Sequence, residues 1–385
     1  MGIEMVKLRG DLQFASFAPD HLSPNDRDLL KATRLAEVAL PEVPDRMEIK
    51  LLPSRAVRFA RKESGGIVSF MPTYTRELRE WAPDVIIENA FSWLTPRSYQ
   101  TYSVAKRLGI PVVYYDPGDV IPIGSKHRVM ALWESSVFSD IAGIITFNAG
   151  GARRFVDKYD YPPQRIHVIP KPVDVGRFRN TEDRREQGRL RLGLKDNHVA
   201  VGYLGRLARY KGSASLLEAA RVAMNDHGLS DLRFVFVGGT LTSTEAGKDY
   251  ELPNTQVTGM IPNSDIPEVL AALDIVVFPD LTNPGAFPTA VAETMAAGKA
   301  IIAGLGSNTK LVPLRHGETA LFVPPSSPEA ILDQLRVLVE DPDRVGRLGK
   351  AVGDFAAANM DYPVVAARWL EVIDRACSLR QIKDR

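Results

Sequence analysis

The feature that most constrains the fold is a hydrophobic period that keeps switching along the chain. Short apolar runs of strand type alternate with stretches in which apolar residues recur at helical spacing. In the first half "LQFASF" (12–17) precedes "RDLLKATRLAEVAL", whose Leu29, Leu30, Leu35 and Val38 predict a helix. "MEIKLL", "DVIIENA", a helix around "SYQTYSVAKRLG", "PVVYY", a helix near "HRVMALWESSVFSD" and "GIITFN" follow. The second half repeats the rhythm with "HVAVGYL", "LRFVFVGG", "IPEVLAALD", "IVVFPD", "KAIIAG" and "ALFVPP". Apolar strands alternating with helices predict an α/β protein whose parallel sheets are covered on both faces.

A chain of 385 residues is long for one core, so two domains are expected. The stretch "VDVGRFRNTEDRREQGRLRLGLKDN" (173–197) is rich in charge, lacks apolar periodicity and reads as the junction. Ligands of open parallel sheets bind beyond the carboxyl ends of the strands, which puts a site in the cleft between two facing sheets. With 48 basic and 47 acidic residues there is no global field, and nucleic acid is not an expected partner. Cys377 is the only cysteine, which excludes an internal disulfide and a cysteine-built zinc site, and no metal-ligand spacing is found. No apolar run is long enough to span a bilayer, and "MGIEMVKLRGDLQF" has none of signal-peptide type. The expectation is a cytoplasmic, soluble protein.

Two tracts carry chemistry. "GRLARYKG" (205–212) follows a strand and leads into a helix. Gly205 lets backbone approach a ligand closely, while Arg206 and Lys211 stand near a helix start that already favours anions. A forked guanidinium and a point-charge ammonium suit a diphosphate; the bland alternative is two solvated loop cations. "NPGAFPTAVAETMAAGKAIIAG" (283–304) repeats the logic. Free amides around Phe287, Thr289 and Ala290 face the cleft from a second helix start, and Glu293 is placed to accept hydrogen bonds from a ribose diol. A mid-helix glutamate is more often simply solvated. Cations at one helix start and a carboxylate behind another together describe a nucleotide diphosphate site.

These tracts, with "HGETALFVPPSSPEAILDQL", "DPDRVGRLGKAV" and "RIHVIPKPVDVGRF", resemble the retaining glycosyltransferases of family 4, which have the GT-B fold. The last tract resembles the family's "ERIHVIPNGVD..RF" junction, and the likeness covers nearly the whole chain. It implies two Rossmann-like domains facing across a cleft: 1–175 on the acceptor side, braced by a C-terminal helix over 362–380, and 176–361 holding the nucleotide sugar. Carried over residue by residue, it implies diphosphate binding by Arg206 and Lys211, ribose binding by Glu293, base contact at Gly259, and phosphate contact at Thr289 and Ala290. It implies retention without a metal or other cofactor, with a UDP- or GDP-sugar as substrate and a glycan, lipid or small-molecule hydroxyl as acceptor.

Several positions depart from the family pattern. Gly285 stands where the family has the first acid of its E-x7-E motif. "PDHLSPND" (19–26) has no glycine where a Gly-Gly loop is usual, and Lys310 replaces an acid. Pro117 occupies the place of a histidine at the reacting centre, flanked by Asp116 and Asp119, which become the candidate catalytic groups there. The altered sugar side motivates an alternative reading, a non-catalytic nucleotide-binding or partner subunit; a nucleotide-sugar epimerase fits the motifs less well. His127 reads as structural, Trp133 and Trp369 as packing residues. Six basic residues against Glu48 in 46–62 read as a solvated face, with contact to an anionic membrane surface as the alternative.

Overall fold

The computed structural model describes residues 1–20, 42–58, 67–89, 94–116, 124–239, 250–282, 287–305 and 313–383. The helix expected over 27–40 lies outside them, as do residues 21–26, Pro117, Asp119, Gly285 and Lys310.

The first domain runs α1 (Gly2–Leu8), β1 (Phe14–Pro19), β2 (Met47–Leu52), β3 (Arg55–Arg58), β4 (Ile67–Phe70), α2 (Tyr74–Trp81), β5 (Ile86–Asn89) and α3 (Pro96–Leu108). It continues through β6 (Val112–Asp116), α4 (Ser125–Asp140), β7 (Gly143–Thr146), α5 (Ala149–Tyr159) and β8 (Ile166–Val168). Strands β5-β6-β7-β8 form a parallel sheet in that order; β1 and β2 pair in parallel, and β3 and β4 make an antiparallel hairpin. Local signals set the helix ends. Thr95 accepts from the Ser98 amide and Pro96 opens α3, which stops at Gly109 with φ 64°.

The second domain contains α6 (Val175–Phe178), α7 (Glu182–Arg191), β9 (Val199–Leu204), α8 (Ser213–Ala223), β10 (Leu232–Val237), β11 (Thr255–Gly259) and α9 (Ile266–Ala272). Then come β12 (Ile275–Phe278), α10 (Thr289–Ala296), β13 (Ala300–Gly304), β14 (Leu321–Val323), α11 (Pro328–Glu340) and α12 (Pro342–Asn359). Its six-stranded parallel sheet has the order β11-β10-β9-β12-β13-β14, the doubly wound 3-2-1-4-5-6 arrangement. Alternate residues feed two cores: Val276 and Phe278 pack on one face with α9, α10 and α12, Ile275 and Val277 on the other with α8 and α11. Burial on both faces is why these strands read as unbroken apolar runs.

The charge-rich stretch 173–197 is not a bare linker. Within it α7 packs against α9 so closely that a Cβ on Gly188 would come 2.3 Å from the Glu268 carbonyl oxygen. Ion pairs, not an apolar stripe, make that contact: Arg185 to Asp274 at 2.6 Å and Arg191 to Asp265 at 2.9 Å. Arg185, Arg189 and Lys299 also donate to the Ala271 and Ala272 carbonyls, so cations cap the negative end of α9. Helical spacing of apolar residues misses a helix held this way.

Two chain crossings join the domains side by side. Ile169 NH bonds the Thr146 carbonyl of β7, Val173 NH bonds the Met360 carbonyl, and Val175 NH bonds the Asp361 carboxylate. Past the second crossing, α13 (Tyr362–Lys383) returns to the first domain. There Val365, Ala366, Trp369 and Ile373 pack on Met5, Val113 and Ile145, and Arg9 bonds Asp374 at 2.6 Å.

Trp369 is buried, whereas Trp133 on α4 is 72% exposed beside exposed Val129 and Leu132; the packing role expected for Trp133 is corrected. Of the basic stretch, Arg46 donates to the Val6, Arg9 and Leu12 carbonyls, and Lys50 lies over the Phe17 and Trp81 rings. These two cations serve the fold. His127 falls on α4, and its side chain lies outside the described ones. Among the described residues no helix is long and apolar enough to cross a membrane.

Candidate functional site

The order of the large sheet reverses between β9 and β12, and both tracts singled out in the sequence follow those two adjacent strands. A crevice opens at such a switch point because the connections leave toward opposite faces.

On the β9 side, Gly205 has φ 149° and its amide bonds the Val237 carbonyl. A Cβ on neighbouring Gly238 would lie 2.0 Å from the Gly205 carbonyl oxygen, so only glycine permits this approach. Gly259 ends β11 at φ 69°, receives the Gly238 amide, and faces open space. The carboxyl edge of β9, β10 and β11 is thereby stripped of side-chain bulk.

The loop after Gly205 is anchored by the buried Leu207 side chain and by the Tyr203 hydroxyl, which donates to the Arg206 carbonyl at 2.7 Å. The Arg206 guanidinium and the Lys211 ammonium each lie 5.6 Å from the centre of the Tyr210 ring. Burial lowers the Lys211 pKa, the Arg206 charge lowers it further, and Asp280 opposes both. Neither cation forms a salt bridge among the described residues. Two like charges are thus held around one ring with no salt bridge among the described residues, an arrangement that suits an anion.

On the β12 side, α10 begins at Pro288 without a side-chain cap. The Val291 and Ala292 amides turn back to the Pro288 carbonyl, while those of Thr289 and Ala290 bond no backbone carbonyl among the described residues. Phe287 is buried in the core and anchors the approach to the helix. Glu293, one turn in, is only 8% exposed. Burial raises its pKa, against the Arg177 charge, a hydrogen bond from Asn263 and the Lys171 charge. Its carboxylate is thus held within a polar cluster and is not the solvated mid-helix glutamate of the bland alternative.

Lys171 was not singled out from sequence. It sits on the crossing between the domains, and its ammonium donates to the Thr289 hydroxyl at 2.6 Å and to the Phe287 carbonyl at 3.4 Å. Burial lowers its pKa, which Glu293 partly offsets. The signal was present in "IPKPVD", where the resemblance has "IPNGVD".

Asp116 requires correction as a catalytic candidate. It ends β6 with 0% exposure, paired to Arg154 at 2.7 Å and accepting from the Thr146 hydroxyl at 3.3 Å. A carboxylate enclosed this way is bound into the core of the first domain. Asp119 lies outside the described residues.

Two family models match the chain: "Glycosyltransferase Family 4" over residues 32–177 and "Glycosyl transferases group 1" over residues 184–353. The chain is 25% identical over 365 residues to D-inositol 3-phosphate glycosyltransferase 1 of Catenulispora acidiphila, covering 89% of this chain and 83% of that one. It is 29% identical over 228 residues to the D-inositol 3-phosphate glycosyltransferase of Rhodococcus opacus, a match spanning about half of each, 56% and 49%. Among solved structures, Anabaena Alr3699/HepE in complex with UDP and glucose superposes with a TM-score of 0.67 at 16% identity, covering 97% of this chain and 94% of that one. A glycosyltransferase from Rickettsia africae superposes with a TM-score of 0.69 at 14% identity, covering 95% and 99%.

Proposed function

The chain belongs to the group 1 glycosyltransferases of GT-B fold, and from that premise we propose that it transfers a sugar from a nucleotide-diphosphate sugar to a hydroxyl acceptor with retention of anomeric configuration. The observation that carries this reading is a pair of cations on the loop after β9, Arg206 and Lys211, with no salt bridge among the described residues, together with the uncapped start of α10 after the adjacent strand β12.

In this scheme the pyrophosphate lies between the two cations and the Thr289 and Ala290 amides, with the base toward Gly259 and the ribose toward Glu293. Negative charge grows on the leaving phosphate as the bond from the anomeric carbon to phosphate oxygen breaks. Donors already in place stabilise that charge without reorganising, and this is where such a site gains most of its rate. The acceptor oxygen bonds the anomeric carbon on the face the phosphate leaves, and its proton passes to the leaving phosphate oxygen. No protein base is required, which accommodates the burial of Asp116. Neutralisation by side chains and amides also leaves no step that needs a metal.

The activity named for the Catenulispora and Rhodococcus relatives makes a polyol phosphate such as D-inositol 3-phosphate the first acceptor to try, and the UDP complex of the Anabaena protein makes UDP-sugars the first donors. The test incubates the protein with UDP- and GDP-sugars, with and without that acceptor, and follows the anomeric proton by NMR. A glycoside with the donor's configuration is expected. An inverted product removes the retaining mechanism. Nucleotide binding without hydrolysis or transfer across the panel returns the protein to a non-catalytic role.

A further inference from the structure

Lys171 stands in an electrostatically awkward place. A helix start carries partial positive charge, so a cation there is disfavoured unless an anion joins them. Yet the Lys171 ammonium is held against the first residues of α10, bonded to a hydroxyl and a backbone carbonyl; no carboxylate lies within ion-pair distance among the described residues, and the Glu293 charge offsets its burial only in part. The position is not an accident of a mobile side chain on a loose loop. Pro170 and Pro172 flank Lys171, and a residue before proline is confined to extended backbone. The Ile169 and Val173 amides fix the segment on either side, one to β7 and the other to the Met360 crossing.

The first two cations belong to the loop after β9, whereas Lys171 approaches the start of α10 from the interdomain crossing. We propose that Lys171 is a third substrate-binding cation, which takes the distal phosphate of the nucleoside diphosphate at the start of α10, while Arg206 and Lys211 hold the diphosphate from the β9 loop. The contact to the Thr289 hydroxyl parks the ammonium in the absence of that phosphate. The inference rests on the nucleotide-sugar reading and deepens it by assigning a residue to one phosphate.

The test compares affinity for UDP and for UMP, which lacks the distal phosphate, by calorimetry in the wild type, Lys171→Gln and Lys171→Arg, with GDP and GMP run in parallel. Lys350→Gln, which removes an exposed lysine paired to Asp354, controls for loss of a surface charge. The diphosphate-to-monophosphate affinity ratio is expected to fall about tenfold or more in Lys171→Gln, to be largely kept by Lys171→Arg, and to be unchanged in the control. The gap between wild type and Lys171→Gln should shrink as salt is raised, because screening weakens the lost attraction. An unchanged ratio in Lys171→Gln, with a lower melting temperature, would make Lys171 a strap between crossing and helix and overturn the proposal. Should Lys171→Gln not fold, Lys171→Met is read the same way, since it keeps the aliphatic stem. Failure of the wild type to bind any of the four nucleotides defeats the underlying reading and this one with it, an outcome distinct from an unchanged ratio.

Discussion

Lys211→Met should move stability and binding in opposite directions. In the free protein the ammonium is half-buried, has Arg206 as a like-charged neighbour and has no ion-pair partner among the described residues; its pKa is lowered by burial first and Arg206 second. A depressed lysine pKa means the unfolded chain binds more protons between the folded value and the ordinary 10.5, so the charge opposes folding below that window. Solvent screening keeps this small, and removal of the charge is expected to raise the free protein's stability by roughly 0.5 kcal/mol. The gain should fade as pH rises through 10.5. Binding goes the other way. A hydrogen bond to a charged group contributes about 1.5–3 kcal/mol, so affinity for the nucleoside diphosphate should drop roughly 10- to 150-fold. Differential scanning fluorimetry reads both effects together. A ligand present at about 1,000 times the wild-type Kd stabilises by about 4 kcal/mol, and the same concentration would stabilise a variant weakened 100-fold by about 1.4 kcal/mol. The signature is a free variant that melts no lower than wild type and a liganded variant that melts well below it. A free variant that melts lower, with ligand stabilisation intact, would refute the open-cation argument and make Lys211 a structural residue.

Two further outcomes test the fold around the site. Lys299 is buried with a pKa lowered to about 7, chiefly by burial and then by Arg185. Stability should therefore rise with pH between about 7 and 10.5, by up to about 1.4 kcal/mol per pH unit from this group. Urea unfolding of wild type and Lys299→Met across that range checks it; equal slopes for the two proteins would show that the lysine is not titrating in the folded state. Asp116→Asn should cost up to about 3–5 kcal/mol, because it removes the negative charge paired with the buried Arg154 guanidinium. Denaturant unfolding that shows near wild-type stability, with turnover lost, would restore Asp116 to the reacting centre.

Legibility in the sequence followed the kind of contact each element makes. β6, β7, β12 and β13 are buried on both faces and stand out as apolar runs. β8 has three residues and no buried face, so nothing in its pattern marks it as a strand within the junction. Helix α7 escapes the apolar pattern because arginines, not apolar side chains, fasten it to α9. Trp133 and Trp369 both lie in helices, and only packing decides that one is exposed and the other enclosed.

The site divides in the same way. Gly205, Arg206, Lys211 and the start of α10 lie in short tracts whose local chemistry, glycine ends and helix starts, is a property of neighbouring residues. That the two tracts follow neighbouring strands is not local, since it depends on β12 pairing beside β9 although β10 and β11 intervene in the chain. The burial of Asp116 against an arginine 38 residues away, and the reach of Lys171 to a threonine 118 residues on, belong to no window of sequence. Period and composition determined that this chain would form strands and helices in alternation, because those patterns bury apolar surface along one chain segment at a time. Which charges end up paired and which stand open to a ligand was decided only by tertiary structure, because a charge's state depends on every group brought near it in space.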